Sequence, residues 1–120
     1  MARILVVDND KDVLEIVAIL LSINNYQVQT IYNPEEILEQ IKNFSPDLIL
    51  LDVNIGLHDG RVICKQLKSD STIKHIPVIL FSALQGLQET YPECEAADFI
   101  AKPFETFELI EKIEKHLKAA

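Results

Sequence analysis

Asp8-Asn9-Asp10, Asp52, Ser82 and Lys102 are the residues whose chemistry could combine in this sequence: carboxylates, an amide, a hydroxyl and an amine. Each follows directly on a short apolar run: Ile4-Leu5-Val6-Val7, Leu48-Ile49-Leu50-Leu51, Val78-Ile79-Leu80-Phe81 and Phe99-Ile100-Ala101. Carboxylates brought together repel one another and hold their protons more tightly unless a cation sits among them. Hard oxygen ligands partly open to water suit Mg²⁺. A carboxylate beside Mg²⁺, with a lysine and a hydroxyl nearby, can act as nucleophile toward a phosphoryl group. The cation, amine and hydroxyl then neutralise its equatorial oxygens. Plainer roles exist for each residue taken alone. Asp8 and Asp10 could cap the following helix, Asp52 and Ser82 could start turns, and Lys102 could be a solvated charge. Convergence at one place is what would favour chemistry.

The elements decide whether they converge. Runs of four or five aliphatic residues bounded by loop residues read as strands buried on both faces, being too short for buried helices. Pro46 and Pro77 introduce two of these strands, and residues 98–101 form the last. Residues 26–32 alternate, with Val28 and Thr30 among polar neighbours, and read as an edge strand exposed on one side. Between the strands, Val13, Ile16, Val17, Leu20 and Leu21 recur at helical spacing over 11–24. Asn33-Pro34-Glu35-Glu36 starts a second helix, with Ile37, Leu38 and Ile41 as its buried face. Val62, Ile63 and Leu67 form the inner face of a third, over 60–68, and Phe107, Ile110, Ile113 and Leu117 line a last helix over 105–118. Over 84–97, Gly86 and Pro92 oppose a long helix, and a short or irregular one is expected.

Five strands alternating with helices through short connections require parallel strands and right-handed crossovers, with helices on both faces. One exposed strand among buried ones fits an α/β doubly wound five-stranded parallel sheet of order 2-1-3-4-5, the flavodoxin-like (βα)5 arrangement, better than a barrel. In that order the first and third strands are neighbours at the switch point. Asp8-Asn9-Asp10 and Asp52 then share one crevice, and Ser82 and Lys102 reach its rim.

Composition narrows the function. At 120 residues the chain reads as one domain with a core of its own, and its net charge of −8 opposes direct nucleic-acid binding and anionic membrane surfaces. Cys64 and Cys94 lack zinc spacing and read as free thiols in a reducing cytoplasm, Cys64 as a packing residue. No apolar stretch is long enough to span a bilayer, and the amino terminus lacks a signal-peptide segment. His58, His75 and His116 are scattered and read as surface residues rather than metal ligands; His58 could touch the crevice from its loop but is given no role.

ILVVDND at 4–10, PDLILLDVNIGLHDG at 46–60, PVILFSA at 77–83 and DFIAKPF at 98–104 resemble the receiver domain of bacterial two-component response regulators, in the same order and over essentially the whole chain. The resemblance implies phosphorylation of Asp52 by a histidine kinase or histidine phosphotransfer protein, with Mg²⁺ as cofactor. It implies signalling to a downstream protein by conformational change, in a monomer or weak homodimer and with no enzymatic turnover beyond slow dephosphorylation. Asp52 matches the phosphoacceptor, Ser82 the hydroxyl that contacts the phosphoryl group, and Lys102 the invariant lysine. Lys102-Pro103 matches a bond that is usually cis in the family and that would aim the amine into the crevice. Phe99 matches the aromatic switch that moves with Ser82. The metal ligands implied are Asp8, Asn9, Asp52 and the backbone carbonyl of Asn54, with Asp10 as a further candidate. Residues 1–120 are read as a single receiver domain with no output domain.

Three departures from the family pattern matter. The family's acidic pair is Asp8-Asn9 here, so an amide replaces the acid expected to touch the metal, and weaker Mg²⁺ binding is expected. Gly56 stands where proline is usual, and should loosen the loop after Asp52. The stretch from Ser82 to Lys102 is slightly short and holds Pro92, so the usual dimer mode does not transfer automatically. Asn9 keeps open an alternative, a pseudo-receiver that binds proteins without taking phosphate; retention of Asp52, Ser82 and Lys102 opposes it. Asp8-Asn9-Asp10 also matches the D-x-D nucleophile motif of haloacid dehalogenase-like phosphatases. That reading needs a longer core and leaves Asp52 unexplained, so it is rejected.

Overall fold

The structure, a computed structural model, describes residues 1–83 and 91–118. In chain order the elements are β1 (Arg3–Val7), α1 (Lys11–Ile23), β2 (Gln27–Ile31), a 3₁₀ turn (Pro34–Glu36) running into α2 (Ile37–Phe44), and β3 (Leu48–Asp52). There follow a two-strand ribbon, β4 (Asn54–Ile55) and β5 (His58–Asp59), then α3 (Gly60–Lys68), β6 (Val78–Ser82), a 3₁₀ turn (Tyr91–Cys94), β7 (Asp98–Ala101) and α4 (Thr106–Lys118). β2-β1-β3-β6-β7 is the strand order of a parallel five-stranded sheet, which is the expected 2-1-3-4-5 once the ribbon is set aside. β2 lies at an edge, as its alternation predicts. The ribbon lies within what reads from sequence as plain loop. Of the irregular helix expected over 84–97, residues 84–90 lie outside the described residues, and the 3₁₀ turn occupies part of the rest.

Alternate strand residues feed two cores, because successive side chains leave a strand on opposite faces. Ile4 and Val6, Leu48 and Leu50, Ile79 and Phe81, and Ile100 pack with Leu14, Val17 and Leu21 of α1 and Leu109 and Ile113 of α4. Leu5 and Val7, Ile49 and Leu51, and Leu80 pack with Ile37 and Ile41 of α2 and Ile63, Cys64 and Leu67 of α3. The helix faces read from sequence need correcting here. Ile16, Leu38, Val62 and Phe107 are all more than half exposed, whereas Leu14 and Leu109 are buried. A helix laid on a sheet buries one stripe, and successive residues are turned by about 100°. Leu109 therefore faces almost opposite to Phe107, and Leu38 is turned off the Ile37–Ile41 line. Cys64 and Cys94 are buried, and the Cys64 thiol donates to the Cys94 carbonyl at 3.3 Å. Burial pushes that thiol up to about 12, in keeping with a packing role.

Register levels the strand ends. Val7 lies beside Leu51, so Asp8 and Asp52 follow side by side; Asp52 itself lies beside Phe81. Ser82 lies beside Ala101, so Lys102 emerges one residue later. Asp8, Asp52 and Lys102 share the parity of Val6, Leu50 and Ile100, which puts their side chains on one face of the sheet.

Candidate functional site

That shared face produces a compact charge cluster. Asp8 and Asp52 are buried, and the Lys102 ammonium reaches both, at 2.9 Å from Asp8 Oδ2 and 3.7 Å from Asp52 Oδ2. The Lys102-Pro103 peptide is cis, and Lys102 Nζ also lies 4.7 Å from the centroid of the Phe81 ring. One ammonium against two carboxylates leaves the site short of positive charge. Burial and the neighbouring Asp8 together push the Asp52 carboxyl up to about 6, with Lys102 and the Asn54 N–H only partly opposing them.

Ser82 is buried at the end of β6, where its carbonyl accepts from the Lys102 N–H at 2.9 Å. Asp8, Asn9, Asp10, Asp52, Asn54, Ser82 and Lys102 line one crevice, and His58 lines it too. The sequence allows His58 to touch the crevice from its loop but gives it no role, and it is an exposed residue on the crevice wall. Phe99 points to the other core, partly buried, with the Lys112 ammonium 4.9 Å from its ring centroid.

The loop residues are held by local bonds. Asp10 Oδ1 caps α1, accepting from the N–H of Asp12 at 2.9 Å and of Val13 at 3.4 Å, while the Asp10 N–H donates to Asp8 Oδ1 at 2.9 Å. Asp52 Oδ1 accepts from the Asn54 N–H at 3.4 Å. Asn9 is exposed, and its amide takes the orientation in which Nδ2 donates to the Asn54 carbonyl at 3.2 Å and Oδ1 accepts from the Gly56 N–H at 3.0 Å. The reverse orientation would set oxygen against oxygen and N–H against N–H.

Mg²⁺ can be tested against these groups. Among the described residues no three or more His, Cys, Asp or Glu side chains form a metal-ligand cluster. The donors here are two carboxylates, Asp8 and Asp52, beside a backbone carbonyl and an amide oxygen. Mg²⁺ is commonly held by one or two carboxylates, with water and phosphate completing its shell. Burial and Asp8 raise the Asp52 carboxyl against the pull of Lys102, so a cation beside these carboxylates would meet favourable charge. The donor set fits.

Two features were missed from sequence. Gly60 opens α3 directly against the end of β3: a Cβ there would fall 2.0 Å from the Asp52 carbonyl oxygen. Its N–H donates to the Val53 carbonyl at 2.7 Å, and Asp59 caps the helix by accepting from the Arg61 N–H at 2.8 Å. Only a glycine allows this approach, and the Asp-Gly pair shows in sequence as turn chemistry alone. The second feature lies at the start of β7, where Asp98 receives Lys112 Nζ at 3.1 Å and pairs with His116 Nε2 at 2.9 Å. His116 is therefore a largely buried partner of an acid and not a surface residue. The spacing of Lys112 and His116, one helical turn apart, was the available signal.

The family model described as the response regulator receiver domain matches residues 4–114. Response regulator PleD of Caulobacter vibrioides is 36% identical over 114 residues, which cover 93% of this chain and 25% of that protein. Response regulator MprA of Mycobacterium ulcerans is 35% identical over 118 residues, covering 97% of this chain and 50% of that one. The chain thus spans a quarter to half the length of these curated relatives. Among solved structures, the signal receiver domain of a signal transduction histidine kinase from Syntrophus aciditrophicus superposes with a TM-score of 0.90 at 30% identity, covering 100% of this chain and 92% of that one. The receiver domain of NtrX from Brucella abortus gives 0.87 at 30%, covering 98% and 99%.

Proposed function

Because the chain belongs to the response regulator receiver domain family of two-component signalling, we propose that it accepts a phosphoryl group on Asp52 and signals to a protein partner. The observation that carries this is the Asp8–Lys102–Asp52 cluster, a buried carboxylate at a strand end whose neighbours leave it short of positive charge. The donor class is a phosphohistidine on a histidine kinase or histidine phosphotransfer protein. An Asp52 carboxylate oxygen attacks phosphorus, the P–N bond to the imidazole breaks, and an acyl phosphate forms as the imidazole takes up a proton. Bound Mg²⁺ would supply charge neutralisation, held by Asp8, Asp52 and the Asn54 carbonyl, with Asn9 and Asp10 as further candidates.

Lys102 is placed to stabilise the transferred group, and its partial attachment to Asp8 keeps the ammonium oriented before transfer. Ser82, buried beside it, is read as the hydroxyl that meets the phosphoryl oxygens, and Phe99 as the ring that moves in response. No enzymatic turnover is assigned beyond slow loss of the phosphoryl group. The net charge of −8 supports protein partners over nucleic acid. Among the described residues no helix is long and apolar enough to cross a membrane, and we place the protein in the cytoplasm, as a monomer or weak homodimer.

A second reading, a phosphorylation-independent binding module, draws on the engagement of the Asn54 carbonyl by Asn9. One experiment separates the two. With Mg²⁺ and acetyl phosphate, intact mass should show a labile phosphoryl adduct that Asp52→Ala lacks, and beryllofluoride should shift resonances near Phe99. An unmodified mass together with no beryllofluoride response would establish the binding module instead.

A further inference from the structure

We infer that Asn9 is a positioning residue that clamps the loop after Asp52 in the metal-free protein, and that Mg²⁺ must compete with its amide for the Asn54 carbonyl. The clamp stands on two hydrogen bonds of one exposed side chain, Nδ2 to the Asn54 carbonyl at 3.2 Å and Oδ1 from the Gly56 N–H at 3.0 Å. Competition with the metal rests on the Mg²⁺ site proposed above; the clamp itself does not.

An amide is the one side-chain group of this size that can make both bonds, because it carries donors and an acceptor. Aspartate at position 9 could accept from Gly56 but would set a negative oxygen against the Asn54 carbonyl. Proline at position 56 would have no N–H to give. Gly56 has φ +60, the left-handed region, and a Cβ there would meet the Asn9 side-chain amide only at an ordinary 3.9 Å. Backbone conformation, not space, favours glycine there. Asn9 and Gly56, which read from sequence as two unrelated departures, are thus hydrogen-bonded partners. The loop that Gly56 was expected to loosen is tied to the β1–α1 connection by the residue that was expected to weaken the metal.

The consequence for metal binding follows from the shared oxygens. An N–H donated to the Asn54 carbonyl draws electron density from the oxygen a cation would use, and the Asn9 oxygen is itself engaged by Gly56. Clamp and cation are therefore negatively coupled through the same groups. The loop keeps its order without the metal, and the metal gains less by binding.

Amide hydrogen exchange and Mg²⁺ titration by NMR test this in the intact chain. In Mg²⁺-free buffer, Asn9→Ala should speed exchange of the Gly56 amide by about three- to tenfold, the range expected for one lost hydrogen bond. The Leu50 amide, in the centre of the sheet, should be unchanged and reports that the variant is folded. Asn9→Ala should bind Mg²⁺ at least as tightly as the parent although it has lost an oxygen, and Asn9→Asp about tenfold more tightly. Unchanged Gly56 exchange in Asn9→Ala overturns the clamp. Weaker Mg²⁺ binding by Asn9→Ala overturns the competition and makes Asn9 a simple ligand. Were Mg²⁺ to shift no resonance in the parent or either variant, the proposed metal and the competition would both fall, and Gly56 exchange would still decide on the clamp.

Discussion

Asp52 and Asp98 both press a carboxylate against the sheet from opposite rims, one ending β3 and the other beginning β7. Asp98 is matched by its surroundings. Burial works to raise its carboxyl, but His116, the Phe99 N–H and Lys112 outweigh burial and hold it below the usual range. Asp52 shares a single ammonium with Asp8 and is pushed up to about 6. A carboxylate whose charge is met by fixed donors is part of the scaffold. One whose charge is left unmet at the carboxyl end of a central strand is placed to receive something, a cation or an electrophile. Burial is common to both; compensation separates them.

Removing the unmet charge gives the largest expected effect. In the unfolded chain Asp52 ionises near 3.8 and in the fold near 6. As pH rises through that window the unfolded chain releases its proton first, so stability falls between these values and stays reduced at neutral pH. That difference corresponds to an upper value of about 3 kcal/mol. Asp52→Asn should lose the phosphoryl adduct entirely. In Mg²⁺-free urea titrations it should also be more stable than the parent at neutral pH, an advantage that vanishes near pH 4. Equal midpoints at neutral pH would mean that the Asp52 charge is compensated after all.

Asp98→Asn should act in the opposite direction, costing about 2 kcal/mol at neutral pH by weakening charge-assisted bonds from Lys112 and His116. A folded-state carboxyl held low contributes stability above its unfolded value near 4, and that contribution is lost as pH falls through the lower folded value. Urea midpoints should therefore converge for parent and variant in acid from the opposite side to Asp52→Asn, the parent here losing its advantage as pH falls. The smallest effect sharpens the geometry of the first rim. Gly60→Ala should cost about 1–2 kcal/mol, because its Cβ must displace backbone at Asp52, while an alanine at exposed Gln66 in the same helix should be nearly neutral. Thermal midpoints of the two variants measure the difference.

The parts of this molecule legible in its sequence are those set by short-range pattern. Four-residue aliphatic runs identify the buried strands, and parity along them carries Asp8, Asp52 and Lys102 to one face. Helix faces were less legible, since Leu38 and Val62 sit beside buried residues and Phe107 two before one, and only docking on the sheet decides which stripe is covered. Tertiary approach was not legible at all. Nothing near Gly60 announces that Asp52 lies against it, and Asn9 and Gly56 are far apart in sequence until the β1 and β3 ends are set side by side. His116 was misplaced for the same reason, its partner lying on another element.

The Gly60 N–H bond to the Val53 carbonyl closes the loop that carries the β4–β5 ribbon. Asn54 pairs with Asp59 and Ile55 with His58, so the chain between Val53 and Gly60 is a ring zipped shut at its base. Leu57 projects from its tip wholly into solvent. Residues spliced in after Leu57 would lengthen the tip outside the zipped pairs, leaving the base at Asp52 and α3 where it is, which makes this tip a natural attachment point for a peptide tag or reporter.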